Sequence, residues 1–367
     1  MELKKKIGRT ILQRTIKDKE ANLYPVWLMR QAGRYMPEYM AIKKASKGFL
    51  DMALTPDKAA EITMQPIKAF DMDAAIIFSD ILVIPYAMGQ QLDYIPHPKL
   101  GPFDKKFFEA DMETFIEKCK PVYEAITKVR NTLCHSKSLI GFAGAPWTLY
   151  RYMSGNVLPG HIDEFEGAYM MSRLTDYIVE HLSQQIKAGC DTVQLFDSWA
   201  SDLGEDHIIP YCYEPTAQIV ERLRSLHPDV GIIVFPRLIG EEINNFSKYV
   251  DADCISLSDD MKTDWILKRM GHQCLQGGIS PEALLTENKE EIFDVCCSGD
   301  VSLSSSSSSS SRDGQDAGLF GSTSSCFTTL PFFQISKNTF LSALTNKNPR
   351  PFLRPFAQLP SYTSSIE

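Results

Sequence analysis

Two arginines that lie four residues apart follow a short apolar run near the N-terminus. The run, Val26–Met29, predicts a buried strand. It is followed by Arg30, Gln31, Ala32, Gly33 and Arg34. Guanidinium groups at a strand end can bind carboxylates through paired hydrogen bonds, and Gly33 permits a tight turn or the close approach of a ligand. An isolated pair of this kind is more often a solvated turn. Polar groups also end later strands of this chain, which favours an anion-binding site.

A carboxylate stands in the almost wholly apolar stretch after the second predicted strand. Asp80 follows Phe78 and precedes Ile81–Ile84. Burying such a group requires a hydrogen-bonding or charged partner. Two interpretations remain open. Asp80 either caps the following helix or faces a cationic or N–H-rich substrate.

Two further strand ends carry hydroxyl groups. Gly141 and Gly144 permit close backbone approach in the third strand, and Pro146 suits the first turn of a helix. That helix would present the Tyr152 hydroxyl, unless Tyr152 is a core residue. Ser198 ends the fourth strand without a G-x-S-x-G turn or an evident base, so a hydrogen-bonding role is favoured over a nucleophilic one.

Short apolar runs alternate with longer amphipathic stretches such as Thr55–Phe70 and Phe165–Lys187. This alternation predicts parallel βα units. The predicted strands are Val26–Met29, Ala74–Phe78, Leu139–Phe142, Thr192–Phe196, Gly231–Phe235, Cys254–Leu257 and Gln273–Gln276. Seven such units favour an α/β fold of the (β/α)8 TIM-barrel type, in which active sites lie at the carboxyl ends of the strands. No G-x-G-x-x-G follows the first strand, which argues against a dinucleotide-binding sheet.

Composition narrows the class of protein. The 367 residues are 44% hydrophobic and 23% charged, with a net charge of −8, which argues against a nucleic-acid-binding protein. Nine cysteines without regular spacing indicate reduced thiols in a cytoplasmic compartment. No apolar run is long enough to span a membrane. The basic N-terminus lacks the apolar stretch of a secretory signal, although an organelle is not excluded.

The composition changes abruptly where an eighth βα unit is needed. A run of serines covers Ser304–Ser311, and the remainder has scattered prolines and no clear period. We therefore predict a barrel unit over residues 1–295 and a low-complexity tail over 296–367, disordered or aberrant, which supplies no well-packed eighth strand. The last βα unit is expected to be missing or replaced.

Several segments resemble the uroporphyrinogen decarboxylase family. PVWLMRQAGRYMPEY and GFAGAPWTLYRYM are similar to its two signature segments. FSDILVIPYAMG, LFDSWASDLG and LQGGISPEALL resemble further segments in the same order, so that the similarity covers about residues 20–292.

The resemblance implies a single barrel, usually a homodimer, that needs no cofactor or metal. It implies a carboxy-lyase that converts uroporphyrinogen III to coproporphyrinogen III by removing four acetate carboxyls. By the same resemblance, Arg30 and Arg34 bind substrate carboxylates and Asp80 faces the pyrrole N–H groups, and these three residues are the catalytic candidates. The other expected substrate contacts are Gln31, Ala32, Gly33, Tyr152 and Ser198.

Departures from the family leave other functions open. The family's Gly-His-Gly segment at the last strand is absent, since the last histidine is His272, and Gly277–Pro281 replaces a Gly-Asn-Leu-Asp-Pro pattern. These departures leave open whether this chain is active or inactive as a decarboxylase. One alternative is a non-catalytic relative that binds porphyrinogens. Another is a zinc-dependent thiol methyltransferase, with His272, Cys274 and a third ligand such as Cys296 or Cys297, although a partly buried strand pair is the simpler interpretation.

Overall fold

The computed structural model describes residues 8–20, 23, 25–29, 31–94 and 98–277, and the backbone of residues 331–335. The strands are β1 Val26–Leu28, β2 Ala74–Ile76, β3 Leu92–Asp93, β4 Lys99–Leu100, β5 Ser138–Gly144, β6 Thr192–Asp197, β7 Gly231–Pro236, β8 Cys254–Leu257, β9 Leu275–Gly277 and β10 Pro331–Ile335. The α-helices are α1 Ile11–Ile16, α2 Pro37–Lys44, α3 Phe49–Ala53, α4 Pro56–Phe70, α5 Val83–Met88, α6 Met112–Thr132, α7 Pro146–Met153, α8 Glu164–Ala188, α9 Glu205–Ile208, α10 Glu214–Leu226, α11 Ile243–Tyr249 and α12 Thr263–Met270. A π-helical turn at Ile209–Tyr213 joins α9 to α10.

One curled sheet organises the chain. Its strand order is β1-β10-β9-β8-β7-β6-β5-β2. The six strands from β2 to β9 in this order are mutually parallel. Helices cover their outer side, as expected for parallel strands joined by helical crossovers. The architecture is the predicted α/β fold of the (β/α)8 type with its last unit replaced.

The apolar runs predicted the parallel strands because these strands are buried. Every residue of β6 and β7 is buried, so neither strand shows an alternation of polar and apolar residues. All seven predicted strands are present, although several are shorter than the apolar run. The helix predicted to open at Thr55 begins at Pro56 with Thr55 as its N-cap, and the long amphipathic stretch is α8.

The edge strands β1 and β2 meet through side-chain bonds rather than a regular ladder. The Val26 amide donates to the Asp73 carboxylate at 2.7 Å, and the Asp73 amide donates to the Val26 carbonyl at 2.9 Å. Gln31 donates to the Ala74 carbonyl at 2.6 Å and accepts from the Ile76 amide at 3.5 Å. These bonds bring together the two strands that stand at opposite ends of the sheet order.

The eighth position of the sheet is filled by β10, which pairs antiparallel with both β1 and β9. The segment after residue 296 was predicted to supply no well-packed eighth strand, and it does contribute these five residues to the sheet. The strand is nevertheless not the parallel one that a (β/α)8 unit supplies. Antiparallel pairing can satisfy the exposed N–H and C=O groups of the two neighbouring strand edges. The rest of residues 296–367 lies outside the described part of the chain.

Among the described residues, no helix combines the length and the apolar character needed to cross a membrane.

Candidate functional site

The sequence-predicted site residues follow the carboxyl ends of parallel strands. Gln31 to Arg34 come after β1, Asp80 after β2, and Ser198 directly after β6, while Tyr152 lies on α7, the helix that follows β5. Strand carboxyl ends share one edge of the sheet, which is the active-site face of this fold. Arg30 lies outside the described residues.

The loop after β1 is held against β2 while Arg34 remains exposed. The amide of Gln31, itself buried, bonds the β2 backbone as described above, and the Tyr35 hydroxyl donates to the Gln31 carbonyl. A turn closes between Gly33 and Met36, where the Met36 amide donates to the Gly33 carbonyl at 3.0 Å. This loop presents the Arg34 guanidinium to solvent, where it can reach an anionic ligand.

Asp80 is partly buried in the turn between β2 and α5. One carboxylate oxygen accepts the Leu82 amide at 2.8 Å, a local turn bond just before α5, whose N-cap residue Leu82 supplies no side-chain cap. The Tyr94 hydroxyl lies beside the same carboxylate. Burial and the negative charge of Asp80 together raise the pKa of Tyr94 far above its ordinary value, which keeps the hydroxyl a hydrogen-bond donor. The Tyr94 ring stacks on Phe49 with ring centroids 4.6 Å apart.

Ring packing connects the loop after β1 to the turn that carries Asp80. Tyr39, at the start of α2, meets Phe78 edge-on with ring centroids 6.0 Å apart. Phe78 lies two residues before Asp80, and its ring is also 5.3 Å from that of Phe49. The segment with Arg34 and the segment with Asp80 are therefore neighbours in space.

The turn that carries Asp80 also packs on the end of β5. A side chain at Gly144 would place its Cβ 3.1 Å from the Cβ of Ile81 and 2.7 Å from a methyl group of Leu149. Glycine at this position therefore lets the residue next to Asp80 approach the strand that leads into α7. This is the close backbone approach predicted from the sequence.

Trp199, the residue after Ser198, packs against Tyr152 of α7. The Tyr152 ring packs edge-on against the Trp199 ring, with centroids 6.1 Å apart. The Arg151 guanidinium lies over the Trp199 ring, 5.2 Å from its centroid. It also forms an ion pair with Asp202 at 2.6 Å. The Trp147 indole donates to the Trp199 carbonyl at 2.9 Å. Helix α7 and the turn after β6 thus form one packed unit around buried Ser198.

Asp197 links this unit from inside the protein. Its carboxylate accepts from the Thr148 hydroxyl at 2.6 Å and from the Thr148 amide, and so caps the N-terminus of α7, where Ala145 supplies no side-chain cap. Burial raises the pKa of Asp197 to about 6, although the bonds from Thr148 and the Cys212 thiol oppose this change.

Sequence reasoning missed three residues of this region: Tyr94, Thr148 and Asp197. Asp197 was adjacent to a predicted site residue, and its acidic side chain at the end of a buried strand was a usable signal. Thr148 and Tyr94 carried none, because their partners lie 49 and 14 residues away in the chain.

The possible zinc ligands His272 and Cys274 differ in their surroundings. His272 is exposed and contacts Gln273, whereas Cys274 is buried with its thiol towards the carbonyl of Thr15. Both residues precede β9, in the turn that follows α12. Within the described ranges, no group of three His, Cys, Asp or Glu side chains is arranged to hold a metal ion. Cys296 and Cys297 lie outside those ranges.

The sequence matches the model of the family described as uroporphyrinogen decarboxylase (URO-D) over residues 9–297. Similar relatives include the uroporphyrinogen decarboxylase of Paracoccus denitrificans, 36% identical over 78% of this chain and 88% of the relative, and that of Rickettsia bellii, 39% identical over 73% and 82%. A solved methyltransferase from Methanosarcina mazei has a TM-score of 0.51 at 14% identity, covers 67% of this chain and 81% of its own, and shows similarity of fold alone. Because the family match extends over most of the chain, this chain belongs to the uroporphyrinogen decarboxylase family.

Proposed function

We propose that this chain removes the four acetate carboxyls of uroporphyrinogen III to give coproporphyrinogen III, a step of porphyrin and heme biosynthesis. One observation carries the proposal: in a member of this family, four strand-end segments that bear Arg34, Asp80, Tyr152 and Ser198 are joined by direct contacts. Residues so far apart in the chain do not meet by sequence proximity.

The residues present suit the chemistry of this reaction. Protonation of a pyrrole carbon makes the ring cationic. The bond between the acetate methylene and its carboxylate then breaks, its electron pair enters the ring, and CO2 leaves. A proton adds to the methylene carbon to complete the methyl group, and the ring carbon releases the proton it had accepted, which restores the pyrrole. The Asp80 carboxylate, placed at the pyrrole N–H groups, would stabilise the cation by an effect of about 3–4 kcal/mol, in analogy with an oxyanion-hole donor.

The remaining residues would bind and orient the substrate. Arg34, with Arg30 beside it in the sequence, supplies positive charge for the carboxylates that stay on the macrocycle, and Gln31, Ala32 and Gly33 form the loop between them. Tyr152 and Ser198 supply hydroxyl groups on the opposite side. The pyrrole ring itself accepts the electrons, so the chemistry asks for no metal or cofactor.

The assembly, the compartment and the domain boundary belong to the same proposal. An exposed apolar pair on α8, Phe165 at 86% and Tyr169 at 49% exposure, supports a homodimer. The six described cysteines are free thiols, as in proteins of the reducing cytoplasm. The end of the family match at residue 297 supports a barrel unit that closes near residue 295 and a tail of separate origin.

Product analysis tests the proposed activity. Uroporphyrinogen III is incubated anaerobically with the full chain, and the porphyrins are oxidised and separated by their number of carboxyl groups. We expect hepta-, hexa-, penta- and tetracarboxyl products to appear in sequence. Uroporphyrinogen that remains unchanged at high enzyme concentration would contradict the proposal.

A non-catalytic porphyrinogen-binding protein is the second candidate, and the antiparallel strand β10 is the observation that favours it. This strand occupies the position where the parallel eighth strand of a barrel enzyme would carry its own strand-end residues. Equilibrium binding of uroporphyrinogen III without any decarboxylated product would support this candidate over the enzyme.

A further inference from the structure

The Thr148 hydroxyl contacts both neighbours of Ser198 in the chain. It donates to the Asp197 carboxylate at 2.6 Å and accepts from the Trp199 amide at 3.1 Å. Thr148 is fully buried, and Asp197 is 3% exposed. One hydroxyl therefore holds the side chain of the residue before Ser198 and the backbone of the residue after it.

The same residue also sets the position of Tyr152. Thr148 and Tyr152 are four residues apart on α7, so their side chains lie on the same face of the helix. The Tyr152 ring packs edge-on against the Trp199 ring. The backbone amide of Trp199 donates its hydrogen bond to the Thr148 hydroxyl. Any shift of the turn relative to α7 would therefore move Ser198 away from Tyr152.

We propose that Thr148 is a positioning residue that holds the Ser198 and Tyr152 hydroxyls at a fixed separation, so that both contact one bound porphyrinogen. This role rests on the proposed function. Thr148 touches no substrate itself, and acts through the strand-end turn and the helix that carry the two contacting residues.

The chain of bonds explains why a threonine hydroxyl suits this position. A hydroxyl donates one hydrogen bond while accepting others, so it can join a carboxylate to an N–H group. The Asp197 carboxylate can only accept while it is ionised, and the Trp199 amide can only donate. Without the hydroxyl, the partly buried amide of Trp199 would lose its acceptor, and the turn would lose one of the bonds that hold it to α7.

Two substitutions isolate the hydroxyl group. Thr148→Ser and Thr148→Ala differ from each other only in that group. Thr148→Val keeps the volume of the side chain without the hydroxyl, and serves as a second test if the alanine variant does not fold. Thr175→Ala is the matched control, because Thr175 is a buried helical threonine of α8 whose hydroxyl has no hydrogen-bond partner within the described ranges.

Three quantities are measured on the full chain: the Kd of uroporphyrinogen III under anaerobic conditions, the KM and kcat where turnover occurs, and the hydrogen exchange of the Trp199 amide without ligand. We expect Thr148→Ala to weaken binding and raise KM by about tenfold or more, and to speed exchange of that amide by a similar factor. Thr148→Ser should stay within about threefold of the parent, and Thr175→Ala should match it.

The outcomes separate this role from the proposed function. Parent-like Kd and KM in both Thr148→Ala and Thr148→Val, with only a lower Tm, would overturn the positioning role and leave the proposed function intact. A parent chain that neither binds nor converts uroporphyrinogen III would overturn the proposed function, and this role with it. Parent-like exchange of the Trp199 amide in the alanine variant would contradict the bond on which the role depends.

Discussion

The two sides of the sheet are built by different bonds. Strands β5, β6 and β7 pair in long parallel registers of five and six residue pairs. The seam is the part of the sheet where β1 meets β10 and β2. There, β1 pairs with β10 over three residues in the opposite direction, and it meets β2 mainly through the side chains of Gln31 and Asp73. Side-chain bonds thus take the place of a regular ladder between β1 and β2.

This difference divides the candidate site. The regular side of the sheet consists of β5, β6 and β7 with their regular parallel ladders. Tyr152 and Ser198 belong to this side, where hydrogen bonds from Thr148 and Trp147 hold their segments in place before any ligand binds. Arg34 belongs to the seam and is exposed. Asp80 lies between the two sides and contacts both through its neighbours Phe78 and Ile81. We infer that the regular side is preorganised and that the seam is the weaker half of the site.

The largest effect is expected from Asp80→Asn, since Asp80 joins the two sides. The amide keeps the shape and still accepts a hydrogen bond, but it has no negative charge to stabilise a cationic pyrrole. We expect the decarboxylation rate to fall by about 10²–10³ while porphyrinogen binding changes less. The variant and its parent are compared in a form of the chain that decarboxylates uroporphyrinogen III, if necessary one that carries the C-terminal segment of a relative. A near-parental rate would remove Asp80 from the mechanism and leave it the turn bond to the Leu82 amide.

On the regular side, the pH dependence of stability reports on Asp197. Its pKa in the folded protein is about 6, above the ordinary value of 3.8, so the folded state retains a proton that the unfolded state releases as the pH rises from about 4 to about 6. The stability of the parent relative to Asp197→Asn should therefore decrease over this window, by about 3 kcal/mol at most, and stay level above it.

Urea unfolding of both proteins between pH 4 and 8 measures this difference. Other buried groups shift the curves of both proteins alike and cancel in the subtraction. One of them is His181, whose pKa burial lowers to about 3, so that its own contribution to stability is lost as the pH falls below about 6.5. A difference that stays constant over the whole range would show that Asp197 is ionised at its ordinary pKa.

The contact between the two sides can be disturbed at Gly144. In Gly144→Ala, the new Cβ would lie 2.7 Å from Leu149 and 3.1 Å from Ile81, so at least one neighbour must shift. We expect a loss of about 1–3 kcal/mol in the free energy of unfolding, together with lower turnover because Asp80 follows Ile81. Gly160→Ala is the control, since nothing lies within 4 Å of its Cβ. Equal stability of the two variants would contradict the close approach.

The seam itself is tested by Gln31→Met, which keeps the length of the side chain and removes its two bonds to β2. Leaving the Ala74 carbonyl and the Ile76 amide without these partners should cost about 1–2 kcal/mol in the free energy of unfolding. Gln218→Met, at an exposed position of α10, is the control and should cost little. If both variants have the same urea midpoint, side-chain bonds do not hold the seam.

The sequence predicted the regular side well and the seam poorly, for physical reasons. Strands buried on both faces appear as continuous apolar runs, which is why β5, β6 and β7 were found. The strand β10 has no such flanking pattern, and its pairing depends on two edges that lie far away in the chain. The positions of Asp80, Tyr152 and Ser198 after predicted strands were enough to identify them as candidate site residues. The polar contacts of Thr148 and Gln31, in contrast, depend on tertiary packing that no local spacing encodes.

Whether the residues on both sides of the sheet form one substrate site is tested most directly by a crystal structure with coproporphyrinogen III bound. We predict that the Asp80 carboxylate accepts hydrogen bonds from the pyrrole nitrogens, while Arg34, Tyr152 and Ser198 all contact the same macrocycle. A macrocycle bound elsewhere would contradict this site. So would a separation of more than about 15 Å between Asp80 and Arg34, roughly the span of four to five extended residues.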